Sequence, residues 1–291
     1  MRKLTTLSLL LAILLGPLSA EGDVSFQLSG ANKKSYTNFI KQLRDAVPTT
    51  TTVCKIPVLP STASGPKSFT FVHLTNYADQ TVVVAINITN VYIVAYHIDH
   101  VSYFFDDASP EAYKVLFEGT DRKTLPYSSN YDKLQSIVGK KRDLIELGLP
   151  ALSSAITNLV YYEYKSTAAA LLVLIQSVAE AARYKYIEQE ISTHVDDKFK
   201  PDQAIISLEN NWGALSKQIQ IAAKGNGQFE KPVELINPNN TPFSVTNVSS
   251  LVVTSNIKLL LYFKLAAANH DDQDKTVGKP FNNGGENFIT V

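Results

Sequence analysis

The stretch Ala168-Ala-Ala-Leu-Leu-Val-Leu-Ile-Gln-Ser-Val-Ala-Glu-Ala-Ala-Arg183 decides the architecture. Its first half is apolar on nearly every side, so the helix it predicts has to be surrounded by protein. Gln176, Glu180 and Arg183 recur within it at i, i+4 and i+7 and share one face. Burying a carboxylate and a guanidinium costs several kcal/mol per ion unless they are paired, and even a good pair is weak evidence of stability. Two readings follow from periodicity: a polar site held inside the core, or a structural Glu/Arg pair turned to solvent where the helix emerges.

Working outward, Pro150 suits the first turn of a preceding helix that runs to about Tyr164. Ser166 is placed to cap the central helix, which is expected to continue to Ile187. Pro201 opens another helix through Ile205, Leu208, Trp212, Leu215 and Ile219, ending near Gly225-Asn-Gly227. Upstream, Tyr36, Phe39, Ile40, Leu43 and Val47 fall at helical spacing before a proline stop at Pro48, and a proline- and threonine-rich connector follows. Phe69 to Leu74, Thr81 to Ile88, Val91 to Tyr96 and Val101 to Phe105 then read as strands, with a turn at Asn76 to Asp79, and their short connections favour an antiparallel meander. Val233 to Ile236, Phe243 to Val248 and Leu251 to Val253 suggest a small β-containing lobe before a last apolar segment, Ile257 to Phe263. Strands first and helices after is an α+β ordering. The expected layout is a larger N-terminal lobe over 23–203, with a mostly antiparallel sheet then central helices, and a smaller C-terminal lobe over 204–268.

The ends read differently. Met1-Arg-Lys, an apolar run from Leu4 to Leu15, and Gly16-Pro17-Leu18-Ser19-Ala20 have the three parts of a signal peptide, expected to cover 1–22. That run is too short to span a membrane, which takes about 20 residues, so no membrane partner is expected. Residues 269–291 turn polar and lose periodicity, as a propeptide or disordered tail does. The expected route is the secretory pathway, with the product secreted or vacuolar. In that setting the sequons at Asn87, Asn239 and Asn247 become glycosylation candidates, and Asn247 is favoured because Pro242 follows the second sequon and Asn87 lies in a strand-like run.

Composition excludes several classes. The chain of 291 residues carries 27 basic and 27 acidic side chains, so bulk charge does not grip nucleic acid and any polyanion has to be met locally. One cysteine, Cys54, rules out a disulfide framework and a cysteine-based zinc cluster. His97 and His100 lack a clear third ligand, so no metal site is expected, and no phosphate-cradling glycine loop, Gly-x-Ser-x-Gly or His-Glu-x-x-His occurs. Tyr92 on a strand and Tyr131 on a loop entering a helix are able to stack on both faces of a planar base; core or surface packing is the competing reading for any pair among 14 tyrosines.

A set of local matches adds to this: Asp23-Val-Ser-Phe-Gln-Leu-Ser-Gly-Ala31, His73-Leu-Thr-Asn-Tyr-Ala-Asp79, Thr89-Asn-Val-Tyr92, Ser102-Tyr-Phe-Phe105, Leu147-Gly-Leu-Pro-Ala-Leu152, Glu180-Ala-Ala-Arg-Tyr-Lys-Tyr-Ile-Glu188 and Ile205-Ile-Ser-Leu-Glu-Asn-Asn-Trp212. In this order, over about Asp23 to Tyr262, they resemble the plant ribosome-inactivating proteins of the single-chain type. The resemblance implies an RNA N-glycosylase that removes one adenine from a loop of large-subunit ribosomal RNA, without cofactor or metal. It implies adenine-stacking roles for Tyr92 and Tyr131, catalytic roles for Glu180 and Arg183, an active-site place for Trp212, and supporting roles for Glu209, Gln176 and Arg142. A monomer is expected, without a covalently linked lectin chain, since no cysteine lies near the carboxyl end of the body. Ser129 departs from the family's glycine directly before Asn130-Tyr131, and a backbone needing positive φ would be strained by it. Ala179 stands where many relatives have serine, a small-for-small change. The rival function is a catalytically inactive relative serving as a storage or binding protein; a backbone-cutting nuclease lacks the histidine pair or metal cluster it needs.

Overall fold

The computed structural model describes residues 23–47, 49, 51–54, 56–59, 69–87, 92–105, 116–117 and 119–252. The expected signal peptide, the last apolar segment Ile257 to Phe263 and the 269–291 tail lie outside the described residues, as does Pro48.

A six-stranded sheet forms the first layer, in the order β1 (Val24–Gln27), β4 (Phe69–Thr75), β5 (Thr81–Asn87), β6 (Tyr92–Ile98), β7 (Val101–Phe104) and β8 (Asp121–Thr124). The four inner strands are the expected antiparallel meander. Both outer strands are parallel to their neighbours, so the sheet is mixed at its edges. Periodicity did not point to β8, because Asp121-Arg122-Lys123-Thr124 is exposed throughout and carries no apolar alternation; the strand pairs parallel to β7. A short hairpin of β2 (Thr51–Val53) and β3 (Ile56–Val58) also occupies the proline- and threonine-rich connector, with Cys54 half-buried at its tip.

Helix α1 (Lys33–Ala46) starts at a capping box, with Asn32 Oδ1 accepting from the Ser35 amide at 3.0 Å and Ser35 Oγ accepting from the Asn32 amide at 2.8 Å. Its buried stripe comprises Tyr36, Phe39, Ile40, Leu43 and, unusually, Arg44. After α2 (Tyr131–Val138), the chain reaches Gly148 at φ +106°, where a Cβ would collide with the Asp197 carbonyl oxygen. Only glycine lets the 147–149 segment lie against 194–199, with the Leu149 amide bonded to the His194 carbonyl at 3.0 Å. Helix α3 (Leu149–Tyr161) follows with Pro150 in its first turn.

The central helix begins at Tyr164, two residues before the expected cap: Ser166 already sits inside α4 (Tyr164–Leu174), and Glu163 takes the N-cap position. Over Tyr164–Arg183 it is long and apolar enough to cross a membrane, yet 83% of its most apolar window is buried in the protein, so its apolarity serves the core. It is also not continuous to Ile187. A π-helical turn spans Ile175–Glu180, and at Tyr184 (φ −129°, ψ 127°) the backbone leaves the helix before α5 (Lys185–Thr193) resumes. The helix expected from Pro201 is likewise two: Asp202 caps α6 (Gln203–Asn210) by accepting from the Ile205 amide, the chain breaks at Asn211, and α7 (Trp212–Ala222) follows. An antiparallel hairpin, β9 (Gln228–Ile236) and β10 (Pro242–Asn247), closes the described chain with a short helix, Ser249–Val252; Leu251 is helical there, not part of a strand. The larger of two apolar clusters among the described residues runs from Val24 through the central helix to Val233, Val245 and Leu251, and the smaller packs Phe69, Ala85, Val94, Ala95, Phe104 and Leu116.

Candidate active site

The two irregularities of the central helix place its polar residues. Gln176, Glu180 and Arg183 are all fully buried, which removes the solvent-facing reading of the pair. The π turn holds Gln176 and Glu180, a wide-turn insertion of the kind found at functional sites. Glu180 Oε1 accepts from the Tyr131 hydroxyl at 2.9 Å and from Arg183 Nη1 at 3.1 Å. Its other oxygen, Oε2, has no hydrogen-bond partner among the described residues. A buried carboxylate oxygen needs a hydrogen-bond partner to offset its desolvation, and none of the described side chains supplies one to Oε2.

The rest of the site comes from α2, the turn at Arg142–Leu144, and α6–α7. Arg183 lies over the Trp212 ring at 3.7 Å, and the indole is fully buried. Arg142 lies over the Tyr131 ring at 3.9 Å and donates from Nε to Glu209 Oε2 at 3.1 Å. Gln176 Nε2 donates to both oxygens of Glu209, at 2.7 and 3.1 Å. With Arg142 on one face of Tyr131, a base can stack only on the other.

Burial raises the Glu180 carboxyl above the usual carboxylate range, against the lowering effects of Arg183 and the Tyr131 hydroxyl. Burial likewise pushes Glu209 up to about 7, with Arg142 opposing and Glu180 adding to the rise. Burial and the nearby Glu180 charge raise the Tyr131 phenol, which keeps it a neutral donor. Two interacting buried carboxylates, each beside an arginine, make a site whose charge depends on pH near neutrality.

The family profile "Ribosome inactivating protein" matches residues 31–220. The chain belongs to the ribosome-inactivating protein family. The type I ribosome-inactivating protein trichoanguina of Trichosanthes anguina is 64% identical over 287 residues, covering 97% of this chain and 98% of its own length. Ribosome-inactivating protein alpha-trichosanthin of Trichosanthes kirilowii is 55% identical over 92% of this chain and 93% of its own. A solved type I member from Iris hollandica superposes with a TM-score of 0.74 at 30% identity, over 84% of this chain and 99% of that one.

Within this ribosome-inactivating protein, seven of the eight residues expected at the site converge in side-chain contact: Tyr131, Arg142, Gln176, Glu180, Arg183, Glu209 and Trp212. For the eighth, Tyr92, the backbone is described and its side chain lies outside the described residues. It opens β6 opposite Asn87, and the β5–β6 register slips between Ala85 and Ile86, leaving Val94 as the extra residue two positions from Tyr92. Ser129 is fully buried and is absent from the positive-φ residues, so serine strains nothing there. Ala179 is buried in the π turn.

Periodicity missed Arg44. Its Nε and Nη2 donate to the carbonyls of Ala182 and Ala181 at 2.9 and 2.7 Å, and its Nη1 pairs with buried Glu188 at 2.7 Å. It thereby caps the helix end freed by the break at Tyr184. The available signal was an arginine on the apolar stripe of α1, four residues after Ile40.

Elsewhere, His97 is half-buried against the Phe117 ring and His100 sits exposed in the adjacent turn. Among the described residues, no group of three or more His, Cys, Asp or Glu side chains is arranged to hold a metal ion. Of the sequons, Asn239 is exposed in the β9–β10 turn, with its Oδ1 accepting from Thr241 Oγ1 at 2.6 Å. Asn247 is half-buried, and its Oδ1 accepts from the Ser250 amide and hydroxyl. The Asn87 side chain lies outside the described residues.

Proposed function

We infer that this protein is an rRNA N-glycosylase: it hydrolyses the bond between an adenine and its ribose in large-subunit ribosomal RNA and so inhibits protein synthesis. The observation that carries the reading is the buried Tyr131–Glu180–Arg183–Trp212 group with one carboxylate oxygen open. RNA loop bases can be splayed out, so the adenine stacks on Tyr131, with Tyr92 as its second aromatic face. As the bond from N9 to the sugar lengthens, its electron pair passes to the base and positive charge develops on the ribose. Glu180, through the open Oε2, stabilises that charge and accepts a proton from the attacking water, whose oxygen bonds to the anomeric carbon. Arg183 donates a hydrogen bond toward N3 of the departing adenine; a guanidinium, with a pKa above about 12, acts as a charge stabiliser here and not as a full acid. The adenine therefore leaves as an anion and takes up a proton from solvent, while Glu180 returns to solvent the proton it took from water.

Arg142 and Gln176 hold Glu209 beside this pair, so Glu209 is a positioning carboxylate whose movement would break three hydrogen bonds. A storage or binding protein has no use for an open carboxylate oxygen buried between an arginine and a tyrosine. One assay on isolated ribosomes decides: free adenine with strand scission only after aniline treatment supports the glycosylase, direct scission a nuclease, and intact RNA an inactive relative.

The reading extends to location and modification. The leader-like 1–22 segment supports entry to the secretory pathway and a secreted or vacuolar product, and the exposed Asn239 turn suits a glycan better than half-buried Asn247. N-terminal sequencing and glycopeptide mass analysis of the plant-expressed protein test both. Cys54, the chain's single cysteine, sits in the β2–β3 turn far in sequence from the carboxyl end, which supports action without a disulfide-linked lectin chain.

A further inference from the structure

Helix α1 bonds to the central helix at two points, both in its irregular last part. At the end of the π turn the Ala181 amide bonds to the carbonyls of Gln176 and Val178 and passes over Ser177, the i−4 acceptor of an α-helix. The Ser177 carbonyl instead accepts from the Tyr36 hydroxyl at 2.7 Å, a buried contact between residues 141 positions apart. Tyr36 is itself fully buried, and the core fixes its ring, edge-on to Phe26 at 5.9 Å and tilted against Phe39 at 6.3 Å. About two turns further along α1, Arg44 holds the carbonyls of Ala181 and Ala182.

Each of the three held carbonyls is next in the chain to a site residue: Ser177 follows Gln176, Ala181 follows Glu180, and Ala182 precedes Arg183. A π turn takes one residue more than the α-helical turn it replaces, so closing it would rotate the residues on one side by about 100° relative to the other. Closure needs the Ala181 amide to return to the Ser177 carbonyl, and a side chain inserted into the i→i−4 ladder is one of the few causes of a sharp helix irregularity. We propose that Tyr36 is a positioning residue: its hydroxyl holds the Ser177 carbonyl away from the Ala181 amide and keeps the turn wide. The wide turn sets the register at which Gln176 meets Glu209 while Glu180 meets Tyr131 and Arg183. This role rests on the glycosylase reading of the site.

Tyr36→Phe in the full-length chain keeps the packed ring and deletes only the hydroxyl. For adenine release from ribosomes, kcat is expected to fall about ten- to hundredfold, the scale of loss when a remote change misplaces reacting groups by about 1 Å. KM is expected to change less than about twofold, because the surface that meets the ribosome is untouched. A crystal structure of the variant is expected to show the Ala181 amide bonded to the Ser177 carbonyl in an α-helical turn. Phe39→Leu, on the same buried stripe, is the control for lost packing: it is expected to lower the thermal unfolding midpoint and to leave release unchanged. Release by Tyr36→Phe at the wild-type rate, or a variant structure that keeps the π turn, overturns the inference. So does a loss of release in both variants that tracks their midpoints, the behaviour of a merely structural tyrosine. A wild type that releases no adenine overturns the glycosylase reading instead; in that case a closed turn in the Tyr36→Phe structure supports the hold on Ser177 and a wide one refutes it.

Discussion

Two buried ionic clusters flank the break at Tyr184, and they are completed differently. In the first, Glu188 is fully buried and receives Arg44 at 2.7 Å and Lys185 at 3.1 Å on both oxygens. In the second, Glu180 is equally buried but keeps one oxygen open, and burial lifts both it and Glu209 out of the ordinary carboxylate range. The first cluster closes the break at Tyr184; the second, just before it, is the site proposed for the chemistry. A saturated buried carboxylate ties elements together, while an unsaturated one stores the capacity to bind something else.

The comparison predicts a division of effects. Arg44→Ala leaves Glu188 with only Lys185 and frees the carbonyls of Ala181 and Ala182. Removing one partner of a buried pair costs about 3–5 kcal/mol, so urea unfolding should show a loss of that order, and an unchanged midpoint would erase the distinction. Arg183→Ala should instead spare most of the fold by circular dichroism while lowering adenine release from ribosomes by about 10²–10³-fold, the usual loss for a donor aimed at developing charge. Near-normal release would remove Arg183 from the mechanism. Tyr131→Phe keeps the stacking ring and deletes only the bond to Glu180; release should fall about tenfold, within the range for a hydrogen bond to a charged group.

The pH dependence sharpens the same contrast. Glu209 at about 7 in the folded protein lies above its unfolded value, so the native state binds the proton more tightly. Stability from this group is therefore present at low pH and lost as pH rises through the interval up to about 7. Denaturant titrations between pH 5 and pH 8 should show a decline that is smaller in Glu209→Gln; equal slopes would place the titration elsewhere. The smallest effect concerns salt. Without 1–22 and 269–291 the chain carries a net charge near +1, so ribosome depurination should weaken only shallowly with ionic strength, and a steep decline would reveal a local basic docking surface.

Much of this was legible beforehand where a single element carried the signal. The meander of β4 to β7 follows from alternating apolar residues, and the all-round apolarity of Ala168 to Ile175 required a central helix. The site residues came from the resemblance more than from spacing, since i, i+4 and i+7 fit a solvent-facing ion pair as well as a buried site. Edge strand β8 was not legible because its exposed polar residues carry no period. The helix breaks at Tyr184 and Asn211 were not legible either, because neither is a glycine or proline and each is held by distant partners: Arg44 caps the first, while Tyr184 donates to the Leu208 carbonyl at 2.9 Å near the second.

The sequence alone thus determined that a strand meander precedes the central helices, and with it the family and the chemical types at the site, because local periodicity and motif order are properties of neighbouring residues. Only the tertiary structure decided that Glu180 is buried with one oxygen open, that Arg183 rests on Trp212, and that Ser129 turns inward without strain. Those facts depend on contacts between residues far apart in the chain and on the desolvation that burial imposes, and neither is written in any single segment.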